Sequence, residues 1–551
     1  MSPILECVPN FSEGKDPGII KQITDQIESV GGVRLLNVDP GKATNRTVVT
    51  FVGPPEAVIE AAFLAIRKAG ELIDMRGHKG EHPRMGATDV CPLIPIAGIT
   101  MEETADWARR LAARVGEELQ IPVYLYEAAQ PDKRRSNLSV IRAGEYEGFF
   151  KKIVLPEWKP DYGPSEFDVR RGGTVIGARD FLVAYNVNLN TTSTRRANAI
   201  AFDVREAGRV IKQGSTDVQV PGTLKAVKAI GWYIEEYGIA QISMNLTNIR
   251  VTPVHVAFDE VCRAAGERGI RVTGSELVGL IPLQAMLDAG RYFLEKQQRS
   301  TGVSEKELIR IAILSMGLDE LGPFKPEERI IEYQLREGAG DRLVKMKLND
   351  FADETASESP APGGGSIAAY VGALGAALGT MVANLSAHKK GWDERWAEFS
   401  DWAEKGQRHK DELLRLVDAD TAAFNGIMAA FALPKGSEAE KKLRSAAIQR
   451  ATRMAIEVPF RVMGVAESSL AVIKAMAVEG NPNSVSDAGV GALCVRAAVL
   501  GAFLNVRINA TGYMDKEYVG DILGRGAAIV EKTIAAEKEI LAIVEEKIAT
   551  Q

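Results

Sequence analysis

The pattern of apolar residues changes once along this chain, near residue 348, and that change limits what the chain can fold into. Before it, short runs with the two-residue alternation of β-strands come between longer stretches with helical spacing. After it, Ala-rich stretches carry helical signals and no convincing strands. Because 551 residues are too many for one hydrophobic core, we predict a multidomain protein that ends in an all-α helical-bundle domain.

The region before residue 348 predicts two α+β sandwich subdomains over residues 1–178 and 179–330, a linker over 331–347, and the helical domain over 348–551. In the first subdomain, strands are expected at 4–8, 33–38, 46–52, 90–96 and 123–126, and helices at 16–30, 55–73 and 101–119. The second begins with an alternating run near residue 181. Residues 156–177 are rich in Gly and Pro, so a long loop is expected there.

The helical domain should contain a few long helices. The spacing of apolar residues predicts them at 366–389, 395–432, 438–475, 484–510 and 514–549. Several of these exceed the usual helix length, so we expect kinks or breaks within them.

Composition excludes some classes of protein. The formal net charge is −6 and no basic domain stands out, which argues against nucleic-acid binding. The four cysteines, Cys7, Cys91, Cys262 and Cys494, form no CxxC pair, which argues against a disulfide framework and a cysteine-rich zinc site. The first residues do not have the form of a signal peptide. A reducing cytoplasm is the expected location.

One segment of the helical domain, residues 366–385, is long enough to span a membrane and carries no charge. It consists mostly of Ala and Gly, which favour membrane insertion far less than Leu, Ile or Phe. We therefore expect a buried bundle helix and no membrane association.

Residues 78–96 hold the densest group of reactive side chains. His78 and His82 have the spacing of a helical metal pair, but Gly80 and Pro83 disfavour a regular helix here. No metal is therefore expected.

His82 has two interpretations. It could be a loop histidine that stabilises a turn, or a general base, because imidazole titrates near neutral pH. In the second case Arg84 and Asp89 could orient it or hold a carboxylate of the substrate.

A carboxylate interrupts an apolar helical stripe in the helical domain. Asp420 shares one helix face with five apolar residues, whereas Asp418 lies on another face; the apolar positions are Leu413, Val417, Phe424, Ile427 and Phe431. A buried carboxyl has a raised pKa, which suits proton transfer near neutrality. The alternative is that Asp420 pairs with a buried cation or bonds a helix end.

Two weaker signals accompany it. Gly364, Gly365 and Ser366 precede an Ala-rich helix and could bring backbone N–H groups to an anion, or could form a tight packing joint. Asn505 and Asn509 share a helix face and could bond a ligand or each other.

Several motifs resemble known enzymes of folate metabolism. ECVPNFSEG (6–14), GEHPRMGATDVCPLIP (80–95), IRAGEYEG (141–148), IGARDFLVAYNVNL (176–189) and GSELVGLIP (274–282) resemble the glutamate formiminotransferase family over about residues 1–330. APGGGS (361–366), VDADTAAFNGIMAAFALPK (417–435) and FLNVRIN (503–509) resemble formiminotetrahydrofolate cyclodeaminases. The order of the two parts is that of the bifunctional formimidoyltransferase-cyclodeaminase family.

This resemblance implies roles for particular residues. The family's catalytic histidine falls on His82, which would accept the proton of N5 of tetrahydrofolate. A folate-contacting stretch falls on residues 177–186, so Gly177, Ala178, Arg179, Tyr185 and Asn186 are expected to bind folate. The family's catalytic aspartate falls on Asp420, with Asp418 as the fallback.

The expected activity is transfer of a formimino group from N-formimino-L-glutamate to tetrahydrofolate, then closure to 5,10-methenyltetrahydrofolate with release of ammonia. Tetrahydrofolate would serve as carrier substrate, with no other cofactor. The resemblance also implies a homo-oligomer. Two alternatives stay open for the helical domain: a methenyltetrahydrofolate cyclohydrolase, or a noncatalytic oligomerisation domain.

Overall fold

A computed structural model describes residues 3–41, 45–80, 83–213, 216–235, 237–336 and 343–550. The chain forms two compact units. The α+β unit comprises residues 1–285 and 316–336, and the helical unit comprises residues 286–315 and 337–551.

A seven-stranded sheet forms the first part of the α+β unit, in the order β1-β4-β2-β5-β7-β6 with β3 on β4. Its strands are β1 (Ile4–Cys7), β2 (Asn10–Phe11), β3 (Arg34–Gly41), β4 (Arg46–Gly53), β5 (Thr88–Ala97), β6 (Val123–Glu127) and β7 (Thr174–Ala178). Its helices are α1 (Pro17–Glu28), α2 (Pro55–Leu72), α3 (Met101–Glu118), α4 (Leu138–Arg142) and α5 (Glu145–Lys152). Apolar residues of α1, α2 and α3 form the core with one face of this sheet.

The sequence sets the ends of these helices. The Asp16 side chain accepts hydrogen bonds from two backbone N–H groups at the start of α1. Thr100 and Glu103 form a reciprocal capping box at the start of α3.

The second part of the α+β unit is a four-stranded antiparallel sheet in the order β11-β12-β8-β13, with a separate hairpin of β9 and β10. Its strands are β8 (Val183–Leu189), β9 (Arg209–Gln213), β10 (Thr216–Val220), β11 (Val227–Ile234), β12 (Ile239–Leu246) and β13 (Val272–Val278). Helices α6 (Thr194–Val204) and α7 (Val254–Gly266) pack on this sheet.

The remaining helices are α8 (Leu283–Lys296), α9 (Glu305–Met316), α10 (Pro326–Arg329), α11 (Ile331–Arg336), α12 (Leu348–Ala356), α13 (Gly364–Ala387), α14 (Trp396–Phe431), α15 (Glu438–Glu479), α16 (Val485–Ala510) and α17 (Lys516–Thr550). In the helical unit α13 packs against α14, α15 and α16. Small residues bring these helices close together: a Cβ on Gly375 would lie 2.8 Å from the carbonyl oxygen of Gly491.

The predicted fold class is confirmed: two α+β parts precede a bundle of long helices. Two details differ. Helices α14 to α17 run without the expected breaks, because each buries one side against neighbouring helices along much of its length. The expected loop over 156–177 contains the start of β7, whose buried Thr174 and Val175 sit beside β5 and β6.

Two stretches of the described chain are long and apolar enough to cross a membrane by length and composition alone, α13 and residues 482–510. The core helix of a water-soluble protein passes the same test. The small residues of α13 are buried against α14 and α16, which is the packing that we expected for a bundle helix.

Candidate active sites

The α+β unit contains a cavity of about 450 Å³, here called the sheet cavity. Residues of both sheets line it, because β1, β4 and β5 contribute from one side and β8 and β13 from the other. Its charged lining residues are Glu6, Asp39, Arg46, Arg142 and Arg179. Its volume is in the range of sites that bind small organic molecules.

Asp89 organises two of these arginines. Its side chain is fully buried, and its carboxylate forms ion pairs with Arg46 (2.8 Å) and with Arg142. It also accepts a hydrogen bond from the backbone N–H of Met85 at 3.1 Å. Asp89 itself does not line the sheet cavity. Through these ion pairs, Asp89 holds the guanidinium groups of Arg46 and Arg142 at the cavity wall.

Arg46 and Arg142 share the carboxylate of Asp89 at the wall of the sheet cavity. The pKa of Arg46 is lowered to about 10, because the effects of burial and of the nearby charge of Arg142 outweigh the opposing effect of Asp89. Arg46 also donates to the side-chain oxygen of Asn10 at 2.6 Å and 3.0 Å. Such a cluster favours an anionic ligand.

The stretch expected to bind folate divides between the cavity and the core. Arg179 lines the sheet cavity, whereas Ala178 is fully buried in the apolar core. Gly177 allows a close approach, because a Cβ there would lie 2.3 Å from the carbonyl oxygen of Tyr126. The buried Tyr185 hydroxyl donates to Ser275 at 2.8 Å, and Asn186 donates to Glu276 at 3.1 Å.

His82 lies outside the described residues. Of its neighbours, Arg84 is buried and is held by Glu145 and Glu147 at 3.0 Å and 2.6 Å. Its Nε also donates to Nδ1 of His78 at 3.2 Å. Arg84 lines a second, open cavity beside Gly80 and not the sheet cavity.

The helical unit contains a smaller cavity of about 120 Å³, here called the bundle cavity. Four of the residues predicted from the sequence line it: Gly364, Gly365, Asp420 and Asn505. Asn509 also lines it and donates to the backbone oxygen of Ala455 at 2.8 Å. The start of α13, the middle of α14 and the end of α16 thus meet at one point.

Asp420 is the ionisable group of the bundle cavity. Burial raises the pKa of its carboxyl, while a hydrogen bond from the Ser366 hydroxyl lowers it. That hydroxyl lies 3.1 Å from Oδ2 of Asp420 and 2.9 Å from the backbone oxygen of Val417. The backbone of Ser366, in the first turn of α13, also hydrogen-bonds to this carboxyl and lowers its pKa, so the alternative that Asp420 bonds a helix end is also observed. A carboxyl of this kind suits acid–base chemistry.

The glycines before α13 make room for this carboxyl. A Cβ on Gly365 would lie 2.2 Å from Oδ1 of Asp420, which no side chain can tolerate without movement. This close approach explains one of the three glycines before Ser366. Asp418 does not line the bundle cavity.

The apolar stripe around Asp420 does not continue into the core. Leu413 and Val417 are fully buried, but Phe424 is 37% exposed and Phe431 is 50% exposed. Asp420 therefore lies where α14 leaves the core of the helical unit, and the expectation of a fully apolar environment applies only to the residues before it.

Sequence reasoning missed most of the sheet cavity. Glu6, Arg46 and Arg142 were not selected, although each carries a charge that lines the cavity. Alternation along β1 was the available signal: Leu5 and Cys7 are apolar, so Glu6 must face the other side of the sheet. Arg46 and Arg142 had no such local signal.

Models of known families match the chain in three consecutive stretches. Residues 4–179 match the N-terminal subdomain of the formiminotransferase domain, and residues 184–336 match the formiminotransferase domain. Residues 347–527 match formiminotransferase-cyclodeaminase.

Individual relatives agree with these matches. The formimidoyltransferase-cyclodeaminase of Gallus gallus is 43% identical over 99% of this chain and 100% of that protein. The glutamate formimidoyltransferase of Thermoplasma acidophilum is 43% identical over 53% of this chain and 92% of that protein. The methenyltetrahydrofolate cyclohydrolase of Methylorubrum extorquens is 35% identical over 36% of this chain and 97% of that protein. This chain therefore belongs to the formimidoyltransferase-cyclodeaminase family.

Proposed function

We propose that this protein transfers the formimino group of N-formimino-L-glutamate to tetrahydrofolate and then closes the product to 5,10-methenyltetrahydrofolate with release of ammonia. The observation that carries the proposal is the match to a bifunctional relative over nearly the whole of both chains. Separate cavities in the two units, each lined by ionisable groups, support a division of the two reactions between them.

In the transferase reaction, His82 is the general base that removes the proton from N5 as it attacks the formimino carbon. Arg46, Arg142 and Arg179 bind the carboxylates of the substrates in the sheet cavity. Asp89 positions the first two of these arginines through its ion pairs. Binding both reactants at one wall makes the attack effectively unimolecular.

In the ring-closing reaction, Asp420 is the general acid–base group. It takes the proton from N10 as N10 attacks the formimino carbon, and it protonates the departing ammonia. Its pKa, raised by burial, supports both tasks near neutral pH. At about 120 Å³ the bundle cavity is smaller than sites that enclose whole ligands, so only the reacting end of the folate enters it.

Tetrahydrofolate is the carrier substrate, and the proposal needs no further cofactor or metal. Both reactions consist of proton transfers and attack at an sp² carbon. A cytoplasmic location accords with this folate chemistry and with the free cysteines among the described residues.

A second candidate exists for the helical unit, because a methenyltetrahydrofolate cyclohydrolase is 35% identical to this part of the chain. That activity would hydrolyse the methenyl product and would release no ammonia. The two candidates therefore differ in one measurable product.

The full-length protein given 5-formiminotetrahydrofolate should release one ammonia for each methenyltetrahydrofolate formed. Given formiminoglutamate and tetrahydrofolate, it should also release glutamate. The variant His82→Ala should lower the rate of glutamate release by about 10²- to 10⁴-fold, because it removes the general base. Ammonia release from 5-formiminotetrahydrofolate should stay at the wild-type rate in this variant.

Failure of the unaltered protein to release ammonia from 5-formiminotetrahydrofolate would contradict a cyclodeaminase. Water-driven opening of methenyltetrahydrofolate would then favour the cyclohydrolase. Absence of both activities would favour a noncatalytic helical unit.

The helical unit also carries an apolar outer face, here called the outer face. It consists of exposed residues of two helices that pack side by side: Leu374, Met381 and Leu385 on α13, and Val490, Leu493, Leu504 and Ile508 on α16. Residues 364–387 carry no charge at all. An uncharged face is complementary to a copy of itself, so we propose that a second copy of the chain covers it.

Replacing Leu493 with Glu should weaken self-association by at least about tenfold, because a charge would be buried in the interface without a partner. Analytical ultracentrifugation across a dilution series would measure the change. The matched control is Leu443→Glu, which alters an exposed leucine on α15. A mass equal to one chain for the wild type, or binding of the outer face to lipid vesicles, would contradict the proposal.

A further inference from the structure

Glu6 is a buried carboxyl that none of the roles above uses. Along β1, Leu5 and Cys7 belong to the apolar core that the helices cover. Successive side chains of a strand point to opposite faces. Glu6 therefore lies on the other face of the sheet, where it lines the sheet cavity with Val8.

Within the described part of the chain, the Glu6 carboxyl has no fixed partner. The residue is 4% exposed, and no described residue makes a hydrogen bond or ion pair with the carboxylate. Structural carboxylates at such depth are normally paired, because an isolated buried charge is costly. An unpaired carboxyl that faces a cavity is better explained by a group that enters the cavity.

The charges around Glu6 come from several elements. Arg179 follows β7 and attracts the carboxylate, while Glu332 on α11 repels it. Tyr126 on β6 and the thiol of Cys7 are neutral neighbours whose pKa values burial raises.

Asp39, Arg46 and Arg142 line the same cavity. Burial has the largest effect on the Glu6 carboxyl and raises its pKa to about 7. Both protonation states are therefore accessible near neutral pH.

The transfer reaction needs a proton at a second place. When N5 attacks, a bond forms between N5 and the formimino carbon, and the π electrons move to the imino nitrogen. The electron pair on the imino nitrogen then re-forms the C=N bond as the bond from that carbon to the glutamate nitrogen breaks, and the electron pair of the broken bond stays on the glutamate nitrogen. That nitrogen must gain a proton to leave as an amine, while the base keeps the proton from N5.

We propose that Glu6 is a second catalytic residue of the transferase site, the general acid that protonates the departing nitrogen of glutamate. This inference rests on the proposed transferase function. The carboxylate left behind regains a proton from water or from the protonated base, so the cycle closes without any redox partner. The general base takes the proton of the entering amine, and Glu6 supplies the proton of the leaving amine.

The test is the variant Glu6→Gln in the full-length chain, with glutamate release measured from pH 5.5 to pH 9. We expect kcat to fall by about 10²- to 10⁴-fold, with KM for tetrahydrofolate changed little. In the wild type, the rate should fall above about pH 7 as Glu6 loses its proton. In Glu6→Gln this fall in rate above pH 7 should disappear. In Glu6→Asp the fall should remain, at a lower kcat.

The matched control is Glu127→Gln. Glu127 also has a pKa raised by burial and lowered by Arg179, but it does not line the sheet cavity. This variant should keep the wild-type rate and pH profile. Ammonia release from 5-formiminotetrahydrofolate should be unchanged in every variant, which shows that the helical unit is intact.

Thermal stability separates a catalytic from a structural role. Below the pKa of Glu6 in the unfolded protein, near 4.5, the carboxyl is protonated in both the folded and the unfolded state. It then does not lower the free energy of unfolding. Above a folded-state pKa of about 7, the folded protein bears the full cost of a buried charge. Glu6→Gln should therefore raise the melting temperature at pH 8 and leave it nearly unchanged at pH 4.5.

Three results would overturn the inference. A lower melting temperature for Glu6→Gln at pH 8 would indicate a structural role. A raised KM with an unchanged pH profile would indicate a binding contact alone. An unchanged kcat would show that the group is not used. Absence of glutamate release by the wild type would instead overturn the proposed function, and this inference with it.

Discussion

Asp420→Asn is expected to lower the rate of ammonia release from 5-formiminotetrahydrofolate by about 10²- to 10⁴-fold. The amide has nearly the shape of the carboxyl and still fits beside Gly365, but it cannot exchange a proton. Glutamate release in the transferase reaction should continue at the wild-type rate, because the sheet cavity lies in the α+β unit. Single-turnover ammonia release would measure the effect on chemistry alone.

The variant Asp418→Asn tests whether Asp420 or Asp418 is the acid–base group. Asp418 lies on the same helix, but it does not line the bundle cavity. We expect Asp418→Asn to retain most of the ring-closing activity. Loss of activity in Asp418→Asn, with retention in Asp420→Asn, would show that the acid–base group had been assigned to the wrong residue.

Asp420→Leu adds a test of stability. If the carboxyl is kept for chemistry, leucine should abolish ring closure and should preserve or raise the melting temperature, because a partly desolvated carboxyl is removed. A large loss of stability would instead indicate that the hydrogen bond between Ser366 and Asp420 holds α13 against α14.

Asp89→Ala is expected to cause the largest loss of stability, about 3–5 kcal/mol in the free energy of unfolding of the α+β unit. The reason is that Arg46 and Arg142 would lose the buried carboxylate that both contact. Glutamate release should also be lost, because these guanidinium groups would no longer be held at the cavity wall.

Urea denaturation followed by circular dichroism would measure this loss. Asp106→Ala provides the control, because its ion pair with Arg109 on α3 is exposed and should contribute little. The two variants remove the same side chain from different environments. Equal stability of both variants would contradict the role assigned to Asp89.

Several residues of the bundle cavity could be selected from local sequence patterns. Gly364, Gly365, Asp420 and Asn505 were each selected from the sequence, two by helical spacing and the glycines by their position before an apolar helix. Their meeting at one cavity depends on how α13, α14 and α16 pack, and apolar spacing does not encode which helices become neighbours.

Two arginines of the sheet cavity, by contrast, could not be selected from local sequence patterns. Arg46 on β4 and Arg142 on α4 become neighbours only because Asp89 on β5 binds both. Charged residues in strands and short helices have no periodicity of their own, so no window of sequence distinguishes them from surface arginines. Arg84, which lies in a recognisable motif, instead pairs with Glu145 and Glu147.

The sequence by itself determined the fold class, the bounds of most helices and strands to within a few residues, and the family, because periodicity, caps and motifs are local. The tertiary structure decided which charged groups share a cavity, that Asp89 supports arginines, and that Glu6 lines the sheet cavity. The physical reason is that burial and charge pairing depend on segments far apart in the chain, which only folding brings into contact.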